Sequence, residues 1–259
     1  MKAGTTPPGV SNEPEAAEWV QRMFSRVASR YDFLNHLLSF NIDRSWRRVL
    51  MERMRDVLRR PEAKILDLCC GTGDVQLDFQ TVAKAPIFGA DFCHPMLVSA
   101  KRKATERGLR PLLFEADALR LPIADSALDA ISIAFGFRNL ANYQTGLCEL
   151  HRVLKPGGLL AILEFSHPAG VFMKTAYGFY SSVLLPLIGT AISGSKEAYT
   201  YLPDSIRKFP RAAELCEMMR RAGFEEPGFE LLTGGIAALH LGHKSAGRRT
   251  CQSPVDLVP

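Results

Sequence analysis

From residue 19 to residue 58, apolar side chains return every three or four positions: Val20, Phe24, Val27, Tyr31, Leu34, Leu37 and Leu38, with a break near Ser39, Phe40 and Asn41. That spacing puts them on one face of a helix, so the segment reads as amphipathic helices. Past residue 61 the pattern changes. Short apolar runs of β type, KILDLCC (64–70), PIFGADF (86–92), PLLFEAD (111–117), LDAISIAF (128–135) and LLAILEF (159–165), alternate with helical stretches starting at Asp74 and spanning 96–107 and 143–154. Strands and helices in alternation imply parallel strands joined by helical crossovers. Lys155-Pro156-Gly157-Gly158 reads as the turn that ends one helix and starts the fifth strand. A helix over 211–222 then leads into two runs, 224–232 and 235–242, spaced as a closing antiparallel hairpin. The pattern predicts an α/β, Rossmann-like unit: a seven-stranded, mostly parallel sheet with helices on both faces, a C-terminal hairpin and an N-terminal helical preface.

Composition limits the picture further. A chain of 259 residues that is 47% hydrophobic suits one α/β domain with appendages. The first 18 residues and those from 245 to 259 have the Gly, Pro, Ser and Arg content of frayed termini and are expected to be disordered. Between them lie the preface (19–60) and the α/β unit (61–244), the latter carrying an apolar insertion at about 167–210. Residues 175–195 form the longest uncharged run, but Gly178, Ser181, Ser182, Pro186, Gly189 and Ser193 make it too polar for a confident membrane span. Such a segment suits the cover of a binding site. The net charge of +5 sits in one place: residues 19–60 hold ten arginines against four acidic residues (10 − 4 = +6). Outward-facing arginines of ordinary helices explain this, and a nucleic-acid, anionic-membrane or acidic-partner surface is the alternative. The polar start of the chain is no apolar leader, so the six cysteines are expected to be reduced, in a cytoplasmic protein.

In an open parallel sheet, ligands bind beyond the carboxyl ends of the strands. The first run ends in Asp67-Leu-Cys-Cys-Gly71-Thr72-Gly73-Asp74. Gly71 and Gly73 allow a tight turn ahead of a helix N-terminus. A dinucleotide fingerprint would need a third glycine where Gln76 stands, and Asp74 would repel a pyrophosphate. The second run ends in Asp91, a carboxylate able to accept both hydroxyls of a ribose. The third ends in Asp117-Ala118, an acceptor for an adenine amine beside a residue small enough to admit the ring. A glycine turn without phosphate logic and two acidic strand ends describe a site for adenosine bearing a cation, S-adenosylmethionine. Helix capping would explain Asp91 or Asp117 singly, but not the ordered set. Adjacent cysteines cannot easily clasp one metal, and no Cys-x-x-Cys pair is present, so no metal is expected.

The residues also carry a more specific likeness. Tyr31-Asp32-x-x-Asn35-x-x-x-Ser39 continuing to Trp46, Phe135-Gly136-Phe137-Arg138-Asn139, and Arg152-Val153-Leu154-Lys155-Pro156-Gly157-Gly158 continuing to Glu164-Phe165-Ser166 resemble the ubiquinone/menaquinone biosynthesis C-methyltransferases, a class I S-adenosylmethionine-dependent family. The resemblance spans about residues 20–244. Asn41 stands where that family usually has glycine and Asp43 where histidine is common, so the loop before Trp46 is expected to sit differently. Ala134 replaces a frequent hydroxyl residue near the cofactor, and Cys69 the first glycine of the turn.

The resemblance implies methylation of a ring carbon on a prenylated quinol, demethylmenaquinol foremost and a methoxy-benzoquinol as counterpart. It implies Thr72, Asp91, Asp117, Ala118, Gly71, Gly73 and Ala134 at the cofactor, and Arg138 and Tyr31 at the reaction. Arg138 would favour the phenolate or orient a water, or else form a salt bridge with an acid of the preface. Tyr31 would face the sulfonium or the quinol, or else pack. His167 is a candidate base by position but reads better as a loop histidine, while Glu164 anchors the pocket. The preface and the insertion would serve as a lid for the prenyl tail at the inner face of the membrane. A peripheral membrane contact and a homodimer are the remaining partners considered, and nucleic acid is not one. Two rivals stay open: a methyltransferase acting on another lipid or aromatic, and a non-catalytic S-adenosylmethionine-binding scaffold of a quinone-synthesis assembly.

Overall fold

The structure, a computed structural model, describes residues 4–28, 41–168 and 196–246. Tyr31 and most of the 167–210 insertion lie outside them. Seven strands form one sheet in the order β3-β2-β1-β4-β5-β7-β6. They are β1 (Ile65–Leu68), β2 (Ile87–Asp91), β3 (Leu112–Glu115), β4 (Leu128–Ala134), β5 (Leu154–Phe165), β6 (Phe224–Leu232) and β7 (Ala237–Lys244). The first five are parallel, and β7 runs antiparallel between β5 and β6, as the sequence pattern predicts. Strand order reverses between β1 and β4, which opens a crevice at their carboxyl ends.

Alternate residues along the strands feed two apolar layers. Ile65 and Ala130 face Trp46 and Leu50 of α2 (Ile42–Arg53), Val57 and Leu58 of the one-turn α3 (Arg55–Leu58), and Phe79 of α4 (Asp74–Gln80). Leu66, Ile131 and Ile133 face the other way. They meet Leu147 and Leu150 of α6 (Tyr143–Val153) and Leu215 and Met219 of α8 (Ala212–Arg221). Helix α5 (His94–Glu106) joins β2 to β3, while α1 (Glu13–Val27) and α7 (Lys196–Lys208) pack together beside the carboxyl edge.

Three expectations need correction. The N-terminal segment is not a loose tail up to residue 18: Asn12 caps α1 by accepting the Glu15 N–H at 3.0 Å, and the Thr5 N–H donates to the Leu140 carbonyl at 2.8 Å. Apart from that cap, Thr5 is held by partners more than a hundred residues away, which a local composition does not reveal. Lys155-Pro156-Gly157-Gly158 does not precede β5 but loops out within it, because Leu154 pairs with Leu128 and the next pair is Leu159 with Ala130. Cys148 is disulfide-bonded, whereas Cys69, Cys70, Cys93 and Cys216 are free thiols. Part of the positive charge of the preface is paired within the molecule. Arg47 pairs with Asp43, Asp74 and Asp78, Arg53 with Glu230, Arg55 with Glu52 and Arg60 with Asp129.

Candidate functional site

The turn after β1 compresses three left-handed residues into five positions: Cys69 (φ 55°), Gly71 (φ 54°) and Gly73 (φ 83°). Glycine adopts this conformation freely; cysteine does not. The Gly71 N–H donates to Asp91 Oδ2 at 2.9 Å, and Asp91 Oδ1 accepts the Cys93 N–H at the same distance. Two donors favour the carboxylate, but burial outweighs them and pushes the Asp91 carboxyl up to about 6. Asp117 is exposed, with Oδ1 accepting the Leu119 N–H at 2.9 Å, and Ala118 beside it is buried.

Gly71, Asp91, Asp117, Ala118 and Ala134 line one open cleft. Apolar walls from Phe92, Met96 and Leu119 complete it. Thr72 and Gly73 do not line it. Thr72 is buried and accepts from Lys103 Nζ at 3.2 Å, while Lys103 also holds Asp74 at 2.6 Å. Gly73 is the tight point of the turn, where an added Cβ would stand 3.2 Å from the Ala100 Cβ. Acidic acceptors and an apolar slot suit a nucleoside with a cationic group, and the pair of aspartates opposes a phosphate.

The β4 side is built differently. Phe135 is left-handed (φ 58°), an unusual conformation for a bulky residue and one that clusters at binding sites. Gly136 sits hard against the β1 turn, since a Cβ on it would lie 2.3 Å from the Cys69 Cβ. Arg138, in the 3₁₀ turn Phe137–Asn139, is 5% exposed and lies behind the cleft wall. Its Nη1 donates to Glu164 Oε1 at 2.9 Å and to the Phe135 carbonyl. Glu164, fully buried on β5, also accepts the N–H groups of Arg138 (3.1 Å) and Phe165 (2.8 Å). The guanidinium stacks 5.3 Å from the Phe165 ring centre. Among the described residues the salt bridge of Arg138 is with Glu164 of β5, which anchors it, and the alternative partner in the preface falls partly on residues 29–40, outside the described residues.

Sequence reasoning missed four features. Asn139 lines the cleft, although it stands in the quoted Phe-Gly-Phe-Arg-Asn run; so do Ala17 and Phe24 of α1 and the Cys69 side chain. Asp67 is buried and accepts the Ser132 hydroxyl at 2.8 Å, and burial raises its carboxyl to about 7. Burial also pushes the Cys69 and Cys70 thiols well up, so neither forms a thiolate near neutral pH. Among the described residues no group of three or more His, Cys, Asp or Glu side chains is placed to hold a metal ion.

The sequence profile described as the ubiE/COQ5 methyltransferase family matches residues 11–244. The chain belongs to that family. It is 48% identical to a demethylmenaquinone methyltransferase of Thermus thermophilus over 86% of this chain and 100% of the relative. It is 42% identical to a ubiquinone/menaquinone biosynthesis C-methyltransferase UbiE of Geotalea daltonii over 89% of this chain and 98% of that one. Solved structures share the fold. A methyltransferase of Thermotoga maritima described as a possible histamine N-methyltransferase superposes with a TM-score of 0.57 at 20% identity, covering 86% of this chain and 99% of the other. A SAM-dependent methyltransferase of Aquifex aeolicus gives 0.51 at 20% identity, covering 77% and 97%. The chain is thus a methyltransferase with the class I sheet.

Proposed function

We propose that this methyltransferase uses S-adenosylmethionine to methylate a ring carbon of a prenylated quinol, with demethylmenaquinol as the acceptor. Family membership and the names of both relatives support C-methylation in quinone biosynthesis. The observation that carries the cofactor reading is the placement of Asp91 and Asp117, from successive strand ends, on one cleft with Gly71. When bound, the cofactor supplies a methyl group already activated on a sulfonium.

The protein's share is alignment, exclusion of water and control of one proton. Asp91 accepts the ribose hydroxyls while the Gly71 and Cys93 N–H groups fix its rotamer. Asp117 and Ala118 receive the base, Ala134 leaves room beside it, and Thr72 and Gly73 shape the turn from behind. A quinol hydroxyl has a pKa of about 10, so its ionised form must be favoured before the ring carbon attacks. Arg138 supplies positive charge from behind the wall that Asn139 forms, and Glu164 keeps that charge in place. Tyr31 keeps its proposed role, facing the sulfonium or the quinol.

The test is methyl transfer to short-chain demethylmenaquinol and methoxy-benzoquinol analogues. Faster transfer to the naphthoquinol is expected. Preference for the benzoquinol would overturn the acceptor assignment, and thermal stabilisation by the cofactor without transfer to either would favour a scaffold. Among the described residues no helix is long and apolar enough to cross a membrane. Surface contact with anionic lipid is the corresponding proposal, and absence of co-sedimentation with anionic liposomes would remove it.

A further inference from the structure

Three segments distant in sequence meet behind Asn139. Tyr201, on α7, is 3% exposed and donates its hydroxyl hydrogen to Asn139 Oδ1 at 3.0 Å. The same hydroxyl lies 2.7 Å from Thr5 Oγ1, in the segment that precedes α1. Val20 and Met23 of α1 bury the Tyr201 ring, and Trp19 tilts across it at 5.0 Å. The N-terminal segment is fastened on either side of this contact by the Thr5 N–H to the Leu140 carbonyl and by Lys208 Nζ to the Thr6 carbonyl (3.1 Å). Leu140 and Ala141, which follow Asn139, line the cleft with it.

An asparagine side chain has one acceptor end and one donor end. With Oδ1 accepting from Tyr201, the NH₂ end is what the amide of this cleft-lining residue has left to offer to whatever fills the cleft. A donor is what a quinol oxygen gaining negative charge requires. We infer that Tyr201 is a positioning residue, locked by Thr5 and α1, that holds the Asn139 amide with its donor toward the acceptor substrate. The inference rests on the quinol reading above, and it makes the first residues of the chain part of the active site. Burial keeps the Tyr201 phenol protonated, so it remains a donor throughout the neutral range.

The experiment is a cycle of Tyr201→Phe, Asn139→Ala and the double variant, scored by kcat, by KM for a short-chain demethylmenaquinol and by cofactor affinity. Tyr201→Phe should lower kcat about fivefold to tenfold with cofactor affinity unchanged, and should lower it less than twofold further in the Asn139→Ala background. Equal losses in both backgrounds, or loss of cofactor affinity in step with kcat, would show that Tyr201 acts by packing and overturn the inference. Thr5→Val, which removes only the outer hydrogen bond, should reproduce a smaller loss that disappears in Tyr201→Phe. A readout independent of the quinol separates this inference from the substrate assignment: the Asn139 side-chain amide resonances, identified by their absence in Asn139→Ala. A distinct shift and narrow lines for this amide in the wild type, moved or broadened by exchange between rotamers in Tyr201→Phe, are expected even if no quinol is methylated. Unchanged amide resonances in Tyr201→Phe would sink the inference although methyl transfer were normal.

Discussion

The two halves of the cleft hold charge at the edge of an apolar sheet by different means. On the β1–β3 side, Asp91 is fixed by main-chain N–H groups, and no basic side chain pairs with it in the hydrogen bonds and ion pairs of the described residues. On the β4–β5 side, Arg138 and Glu164 fix each other, both almost without exposure. Main-chain donors survive most substitutions, because every residue type but proline supplies one. A buried ion pair does not, because loss of either partner strands the other charge. The first half should therefore lose affinity gradually when altered, and the second should lose stability and turnover together unless both partners change.

The sharpest way to break this contrast is at the ion pair. Arg138→Met alone should destabilise the fold by about 3–5 kcal/mol, read by chemical denaturation, because Glu164 is left charged and buried. Arg138→Met with Glu164→Gln should recover most of that loss and keep cofactor affinity, yet turnover should stay down by at least about a hundredfold. Recovery of turnover in the double variant would show that the pair is scaffolding only.

Gly136→Ala tests the seam between the halves. The new methyl would overlap the Cys69 Cβ, at a cost of about 1–3 kcal/mol in denaturant midpoint measurements. Adding Cys69→Gly should relieve it, and unrelieved damage would mean that the two turns are not in direct contact.

On the main-chain side, Asp91 should lose its charge as the pH falls through about 6, so cofactor affinity in calorimetry should weaken below that value. Asp91→Asn should weaken it about tenfold or more and flatten the pH dependence. Asp67 gives the matching stability test. Its carboxyl is raised from 3.8 to about 7, so the unfolded chain releases this proton first, and the contribution to stability present below pH 3.8 is lost as the pH rises through about 7. Asp67→Asn should therefore raise Tm relative to the wild type at pH 8 and leave the difference near zero at pH 4. The reverse order would show that Asp67 is ionised and stabilising.

The smallest effects belong to the thiols. Cys69→Gly should add about 1 kcal/mol by removing a left-handed non-glycine residue. The Cys69→Ala, Cys70→Ala pair should retain most activity, because neither thiol is a thiolate at neutral pH. A well-folded but inactive double variant would return the cysteines to the chemistry.

The first five strands were legible because each holds a short apolar run, and β6 falls on residues 224–232, the run whose spacing reads as the first half of the closing hairpin. Asp91, Asp117 and Gly71 were legible because strand order fixes which ends converge. Asn41 takes a left-handed conformation (φ 59°), which asparagine tolerates better than most residues other than glycine. What escaped was long-range. Nothing local tells Thr72 to turn its hydroxyl to Lys103, tells Arg138 that its acid lies 26 positions on in β5, or tells Thr5 that its partner is Tyr201. These choices are made by packing after the sheet exists.

The contact between Thr5 and Tyr201 spans 196 positions, and it bears on the order in which the protein can be completed. A ribosome adding about 5–20 residues per second makes Thr5 roughly 10–40 seconds before Tyr201. For the later part of that interval β1, β2 and β3 already have each other, while α1 still lacks the Tyr201 side of its wall. The nascent chain thus acquires its main-chain cofactor turn first, and Thr5, made long before Tyr201, is among the last residues to find its native place.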